Sequence, residues 1–204
     1  MATQQEYGVD QVFVNGISYY NKYPQIGHPY LLDNKFEKGS VIFRGKLYSD
    51  VLLMYDICFQ KLLIKYAFND DQFIFYLTKE FISEFNIYNK RFVKGSYYNL
   101  EKDRFYQIIG ENIPIKVLYK WEKIQEKSDY YLVPYQFSSD RRSCFIYINN
   151  KLIRYKGNSS FIHKFPKQNQ KLIKKYIRSN KIKVKYCSDN EMELLLKYSA
   201  ILYP

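Results

Sequence analysis

Residues 39–66 read GSVIFRGKLYSDVLLMYDICFQKLLIKY, and this stretch decides the fold class. Val41 and Phe43 alternate with Ile42 and Arg44, as a strand requires when successive side chains point to opposite faces. Gly45-Lys46 has the chemistry of a tight turn. Beyond it, Leu47, Val51, Leu53, Tyr55, Ile57 and Phe59 share one parity, which predicts a strand or pair of strands with one strongly apolar face. Gln60-Lys61 reads as the next turn and Leu62–Tyr66 as a further strand.

The same rhythm runs outward. Val12, Val14, Ile17 and Tyr19 alternate around Asn15-Gly16, a turn pair that tolerates positive φ, so residues 12–20 read as a first strand or hairpin. Pro24, Gly27 and Pro29 make residues 21–38 mostly loop. Asn69-Asp70-Asp71 is a turn, and strands are expected at Gln72–Leu77, around Phe81–Val93, and at Phe105–Ile109, Ile115–Trp121, Tyr130–Phe137, Cys144–Ile148 and Leu152–Tyr155. Asn149-Asn150 is a two-residue hairpin turn, and the charged piece Glu122–Ser128 is a loop or hairpin tip. Short strands every 8–12 residues predict a mainly β (α+β) fold: a curved antiparallel β-meander or half-barrel over residues 10–156. Residues 157–204 form a basic helical C-terminal part of the same domain, packed on the meander.

In that C-terminal part the pattern changes. Ser159 or Ser160 is placed to cap a helical turn running to Lys164, and Pro166 suits the first turn of the next helix. Leu172, Ile173, Tyr176 and Ile177 follow at helical spacing, and Ser188-Asp189-Asn190-Glu191 matches a capping box ahead of Leu194, Leu195 and Tyr198. From Lys151 to Ser188 there are twelve Lys or Arg residues and no Asp or Glu. Residues 151–204 carry ten of the chain's twelve net positive charges. The cations Lys167, Lys171, Lys174, Lys175, Arg178 and Lys181 are therefore the candidate surface for a polyanion or a protein partner. The competing explanation is compositional. Lys outnumbers Arg 25 to 7 in a chain also rich in Ile, Asn, Tyr and Phe, as AT-rich coding produces, and such lysines can simply be solvated.

Catalytic and cofactor chemistry finds little support. GxxxxGK[ST], GxGxxG and GxSxG are all absent. Cys58, Cys144 and Cys187 are far apart and form no CxxC pair, and His28 and His163 are remote from them in sequence, which argues against zinc and against a disulfide framework. Cys144 with His163 is a conceivable nucleophile pair, but three cysteines and two histidines make some such pairing inevitable on paper. Glu80/Glu84 and Glu122/Glu126 lie among lysines and read as solvated surface, and His28 sits in a restrained Gly27-His28-Pro29 loop. No catalytic residue, cofactor, metal site or small-molecule substrate is assigned. Tyr19-Tyr20, Tyr97-Tyr98 and Tyr130-Tyr131 would each, in a strand, put one ring inside and one outside, where it can stack or anchor a partner.

No run approaches the 18 or so apolar residues of a membrane-spanning helix. Met1 leads into polar Ala2-Thr3-Gln4-Gln5-Glu6 without a recognisable leader, an opening that suits a mature exported chain or a cytosolic one.

The Gly-led strand, F-x-G-x-x-Y, the apolar strand ending in Tyr55-Asp56 and the second apolar strand of residues 39–66 resemble uncharacterised strand-rich secreted proteins of Gram-negative bacteria, as do the Lys-rich helices of residues 167–198. The resemblance implies an envelope location, periplasmic or outer-membrane associated, with a cytoplasmic location as the alternative, and brings no active site with it. The expected function is a non-enzymatic binding or structural module of a bacterial cell envelope that engages a protein partner or an anionic surface such as a membrane face. The alternatives are a nucleic-acid-binding protein using residues 151–188, or a carrier of a lipid or other hydrophobic ligand.

Overall fold

A computed structural model describes residues 17–18, 24–68 and 71–202. The expected hairpin turn at Asn15-Gly16, the Tyr19-Tyr20 pair and the first two residues of the 69–71 turn lie outside the described residues. Strand accounts for 43% of the chain and helix for 22%, so the mainly β expectation holds, with a large antiparallel sheet and three C-terminal helices. The strand order is open, and the sheet does not close into a barrel. Two compact units partition the chain, one of residues 1–105 and 122–141, the other of residues 106–121 and 142–204.

The first unit contains β1 (Ile17–Ser18), β2 (Gln25–Ile26), β3 (Glu37–Phe43), β4 (Lys46–Asp56), β5 (Lys61–Phe68), β6 (Asp71–Leu77), β7 (Ile82–Ile87) and β8 (Lys90–Lys94). Seven of these pair antiparallel in the order β1-β6-β5-β4-β3-β7-β8. The β3–β4 hairpin turns on Arg44-Gly45, both at positive φ, one residue earlier than the composition of Gly45-Lys46 suggests. Likewise β4 ends at Asp56, and the following turn occupies residues 57–60. Asp56 Oδ1 accepts the amides of Cys58 and Phe59 and so organises the turn upstream of Gln60-Lys61.

The apolar parity of β4 is broken in the middle. Asp50 sits at φ 57° as the extra residue of a bulge, since Gly39 pairs with Val51 while Ser40 pairs with Ser49. The bulge switches the faces, so Leu47 is 55% exposed and Tyr48 only 3%, whereas Leu53, Tyr55 and Ile57 are buried as expected. Gly39 faces the backbone oxygen of Asn86 so closely that a Cβ there would lie 2.1 Å from it.

On one face of this sheet Tyr55 meets Phe85, Phe92 and Phe105 at centroid distances of 5.0, 5.2 and 6.3 Å, and Phe85 stacks on Phe92 at 4.8 Å. Tyr30, Met54 and Leu63 pack together as a separate cluster. Interlocking rings of this kind supply large buried area and specific geometry, so this part of the sheet is filled with side chains. The Tyr55 hydroxyl donates to Gln60 Oε1 at 2.7 Å and Gln60 Nε2 donates to the Ile57 carbonyl, which satisfies the polar atoms that enter this core.

The first unit also includes β11 (Gln125–Lys127) and β12 (Tyr135–Phe137), an antiparallel hairpin whose second strand runs parallel to β2. The strand expected over Tyr130–Phe137 is thus shortened to its last three residues. Residues 130–134 form the turn, in which the Val133 amide bonds the Tyr130 carbonyl. Tyr130 and Tyr131 consequently both point outward, at 68% and 100% exposure, instead of facing opposite sides. The Tyr97-Tyr98 pair also falls in a 3-10 turn and not in a strand.

In the second unit β9 (Phe105–Ile109), β10 (Lys116–Glu122), β13 (Arg141–Ile148) and β14 (Lys151–Tyr155) run in that order. β13 and β14 join through Asn149-Asn150, both at positive φ, the two-residue turn legible in the sequence. Three helices follow: α1 (Asn158–Ile162), α2 (Lys167–Ser179) and α3 (Asp189–Ile201). Ser160 acts from inside α1, its hydroxyl accepting the amides of Lys156 and Gly157. Pro166 immediately precedes α2, and the Ser188–Glu191 capping box opens α3. Ile173 and Ile177 of α2 and Met192, Leu195 and Leu196 of α3 share one core with Ile109, Val117, Tyr119, Ile146 and Phe161. Leu172 and Leu194, expected on the inner faces, are 44% and 47% exposed; the inner face of α2 is Asn169-Ile173-Ile177 and that of α3 is Met192-Leu195-Leu196-Ser199.

Candidate anionic-ligand interface

Lys167, Lys171, Lys174 and Arg178 recur at i, i+4, i+7 and i+11, which aligns them along one side of α2. At 1.5 Å per residue the row is about 16 Å long. Lys175 flanks it, and Lys181 follows the helix end at φ 53°. All six side chains are exposed, and they lie away from the buried Asn169, Ile173 and Ile177.

Among the described residues the row has no counter-charge to neutralise it. The second unit holds 16 Lys or Arg residues against four carboxylates, Glu111, Asp189, Glu191 and Glu193, whereas the first unit holds 16 of each sign. Three of those four carboxylates are occupied at α3. Asp189 accepts from Gln107 Nε2 at 2.8 Å, Glu191 accepts the Ser188 amide and hydroxyl, and Glu193 pairs with Lys197 at 2.6 Å. Glu191 is thereby held below the usual carboxylate range, chiefly by the Ser188 amide. Among the described residues, none of the six cations forms an ion pair.

A groove of about 510 Å³ runs between α1 and α2. Ile162 and Ile177, both buried, make its floor, and Lys171, Lys174 and Arg178 stand along its α2 side. Two of its amides are committed to structure. Asn158 donates to the Ile182 carbonyl at 2.8 Å and accepts the Val184 amide at 2.9 Å, and Gln170 donates to the Phe165 carbonyl at 2.8 Å. On the α1 side, His163 Nδ1 lies 2.7 Å from the Ser159 carbonyl, which only accepts, so Nδ1 carries the proton and Nε2 is the ring's other polar atom. Of the six sequence-predicted residues the structure brings Lys171, Lys174 and Arg178 to this groove. Lys167, Lys175 and Lys181 do not line it. His163 joins this surface from the end of α1, one turn beyond Ser159, and no sequence pattern marks it as a member.

Two further polar constellations were not legible. In the first unit Lys123, 9% exposed, donates to the His28 carbonyl at 2.8 Å, contacts His28 Nδ1 at 3.2 Å and pairs with Asp140 at 3.2 Å, while Asp140 Oδ2 accepts the Leu32 amide. Burial and then the Lys123 charge push His28 down from its ordinary value, and burial pushes Asp56 up to about 6. In the second unit the Tyr119 and Tyr155 hydroxyls are buried and meet too loosely for a well-formed hydrogen bond, beside the thiols of Cys144 and Cys187. Burial raises both thiols, Cys187 to about 11, so at neutral pH they are protonated and poor nucleophiles. The Arg142 guanidinium lies 4.0 Å over the Tyr119 ring and donates to the Lys185 carbonyl. Among the described residues no cluster of His, Cys, Asp and Glu has the geometry of a metal site, and no helix is long and apolar enough to cross a membrane.

No protein family, curated protein or solved structure matches this chain.

Proposed function

We propose that this protein is a non-enzymatic binding module that engages an anionic partner surface through the outer face of α2. One observation carries the reading: the row Lys167-Lys171-Lys174-Arg178 is exposed and, among the described residues, without an ion pair, in a unit whose few carboxylates are largely occupied elsewhere. The two units hold 16 Lys or Arg residues each, but 16 carboxylates stand in the first and four in the second, so the whole net charge of the chain falls in the second. No Phe, Tyr or Trp ring lines the adjoining groove, so base stacking has no platform there, and a phosphate-bearing or carboxylate-bearing surface suits the site better than a nucleic-acid base. The setting we propose is a bacterial envelope, supported by the strand pattern of residues 39–66, and fractionation of native cells with an antibody to the chain tests it.

The binding experiment is retention on phosphocellulose across a salt gradient, compared with single-stranded DNA as a second probe. Retention should fall steeply with salt, because neutralising anionic groups releases counterions. Replacing Lys167, Lys175 and Lys181 together by Glu should move elution to clearly lower salt. Unchanged elution of that variant would sink the proposal, and sequence-dependent capture of DNA would favour the nucleic-acid alternative instead.

A further inference from the structure

The cationic row of α2 and the groove beside it share Lys171, Lys174 and Arg178, and Lys167, Lys175 and Lys181 lie outside the groove and offer charge alone. The groove adds shape, a buried aliphatic floor of Ile162 and Ile177, and a ring nitrogen whose role is set by its neighbour. Its polar atoms divide cleanly. The Asn158 and Gln170 amide nitrogens are tied to backbone carbonyls, whereas Lys171, Lys174 and Arg178 have no counter-ion among the described residues.

We propose that the groove between α1 and α2 is a binding site for a phosphate monoester, held by Lys171, Lys174 and Arg178 and oriented by His163. The inference rests on the reading of this face as anion-binding and adds the ligand class. A monoester carries two negative charges at neutral pH on three terminal oxygens, enough to engage two ammonium groups and one guanidinium together, and Arg suits two of those oxygens at once. A diester has one charge and two such oxygens and leaves part of the set without a partner. The Ser159 carbonyl holds the proton of His163 on Nδ1, so the Nε2 position is the one left to meet a ligand. With a proton on both ring nitrogens, Nε2 donates to a phosphate oxygen. The aliphatic floor then receives the carbon substituent of the ester. A volume near 510 Å³ is within the range of small-molecule sites.

The same headgroup chemistry is found on a soluble ester and on an anionic lipid, so the test has two arms. Full-length protein is titrated calorimetrically with glycerol 3-phosphate, with glycerophosphocholine as the diester control, and is floated with phosphatidylcholine vesicles containing phosphatidic acid. Saturable one-to-one binding of the soluble ester, at least tenfold tighter than the diester and weakened at least fivefold by His163→Ala, assigns a soluble ligand. Vesicle binding that shows the same His163 dependence without binding of the soluble ester assigns a lipid headgroup. Lys171→Ala and Arg178→Ala should each weaken the productive arm by tenfold or more, and circular dichroism of the variants confirms that these exposed changes leave the fold intact. Binding in neither arm, or binding that His163→Ala changes less than twofold, overturns the site. The Lys167/Lys175/Lys181→Glu variant separates the two readings. Loss of that variant's phosphocellulose retention with ester binding intact supports both, whereas loss of its retention together with no ester binding by the unsubstituted protein overturns the groove site alone.

Discussion

The two units of this chain handle charge in opposite ways. The first carries equal numbers of acidic and basic side chains and draws some of them inside, with Lys123 meeting His28 and Asp140 and with Asp56 nearly fully buried. The second carries a fourfold excess of cations, keeps tyrosines, cysteines and aliphatic side chains in its core, and leaves the excess outside on α2. Charge in the first unit therefore bears on folding, and charge in the second is left exposed for the association proposed above. Buried ions are coupled to their surroundings by low local dielectric and desolvation, whereas exposed ones are screened within about a Debye length.

The strongest way to break that contrast is Lys123→Met. It strands Asp140 without its partner and frees the His28 carbonyl, and should lower stability by about 2–4 kcal/mol in urea denaturation. A loss under about 1 kcal/mol would mean that the first unit does not depend on its internal charges.

Asp56→Asn comes next and has the opposite sign. The folded carboxyl titrates near 6 against an ordinary 3.8, so the native state holds the proton more tightly than the unfolded chain does. Its contribution declines as pH rises through that window and stays low above it. The amide keeps the Oδ1 acceptor for Cys58 and Phe59 and removes the charge, which should raise stability at pH 7 by about 1–3 kcal/mol. His28 works the other way: its depressed pKa makes the unfolded chain bind the proton first, so stability is lost as pH falls through the ordinary 6.5. With Asp56 replaced, stability measured from pH 7 down to pH 5 should fall more steeply than in the native protein.

Smaller effects are expected in the second unit. Tyr155→Phe deletes a buried hydroxyl with a poor partner and should shift stability by less than about 1 kcal/mol, on the favourable side. Lys174→Gln should leave the melting temperature within about 2 °C, because the side chain is exposed and unpaired, while weakening anion binding. A melting shift as large as that of Lys123→Met would erase the distinction between the two units.

Legibility in the sequence followed the range of the interactions. The Asn149-Asn150 turn, the Ser188–Glu191 cap and the cationic side of α2 are written within a few residues and were readable. The face switch in β4 was not, because Asp50 carries no composition signal that marks it as the bulged residue; the pairing with β3 selects it. Tyr130-Tyr131 misled because aromatic residues favour strands, whereas the turn between β11 and β12 takes both rings outward. His28 and Lys123 are 95 positions apart, and only the fold brings them together. His163 belongs to the groove through a contact four residues back, within reach of inspection but without a pattern that separates it from any exposed histidine.

The Asn158 side chain has a consequence for kinetics. By donating to the Ile182 carbonyl and accepting the Val184 amide, it copies one peptide unit of a strand and fastens the segment leaving α2 to the start of α1. The two walls of the groove are thus joined by a short cross-brace at one end, independently of anything bound between them. For the anion proposed above the two helices are already set apart, so binding has only the exposed Lys171, Lys174 and Arg178 side chains to order, and association should run near the rate set by electrostatic steering, with no slow rearrangement phase.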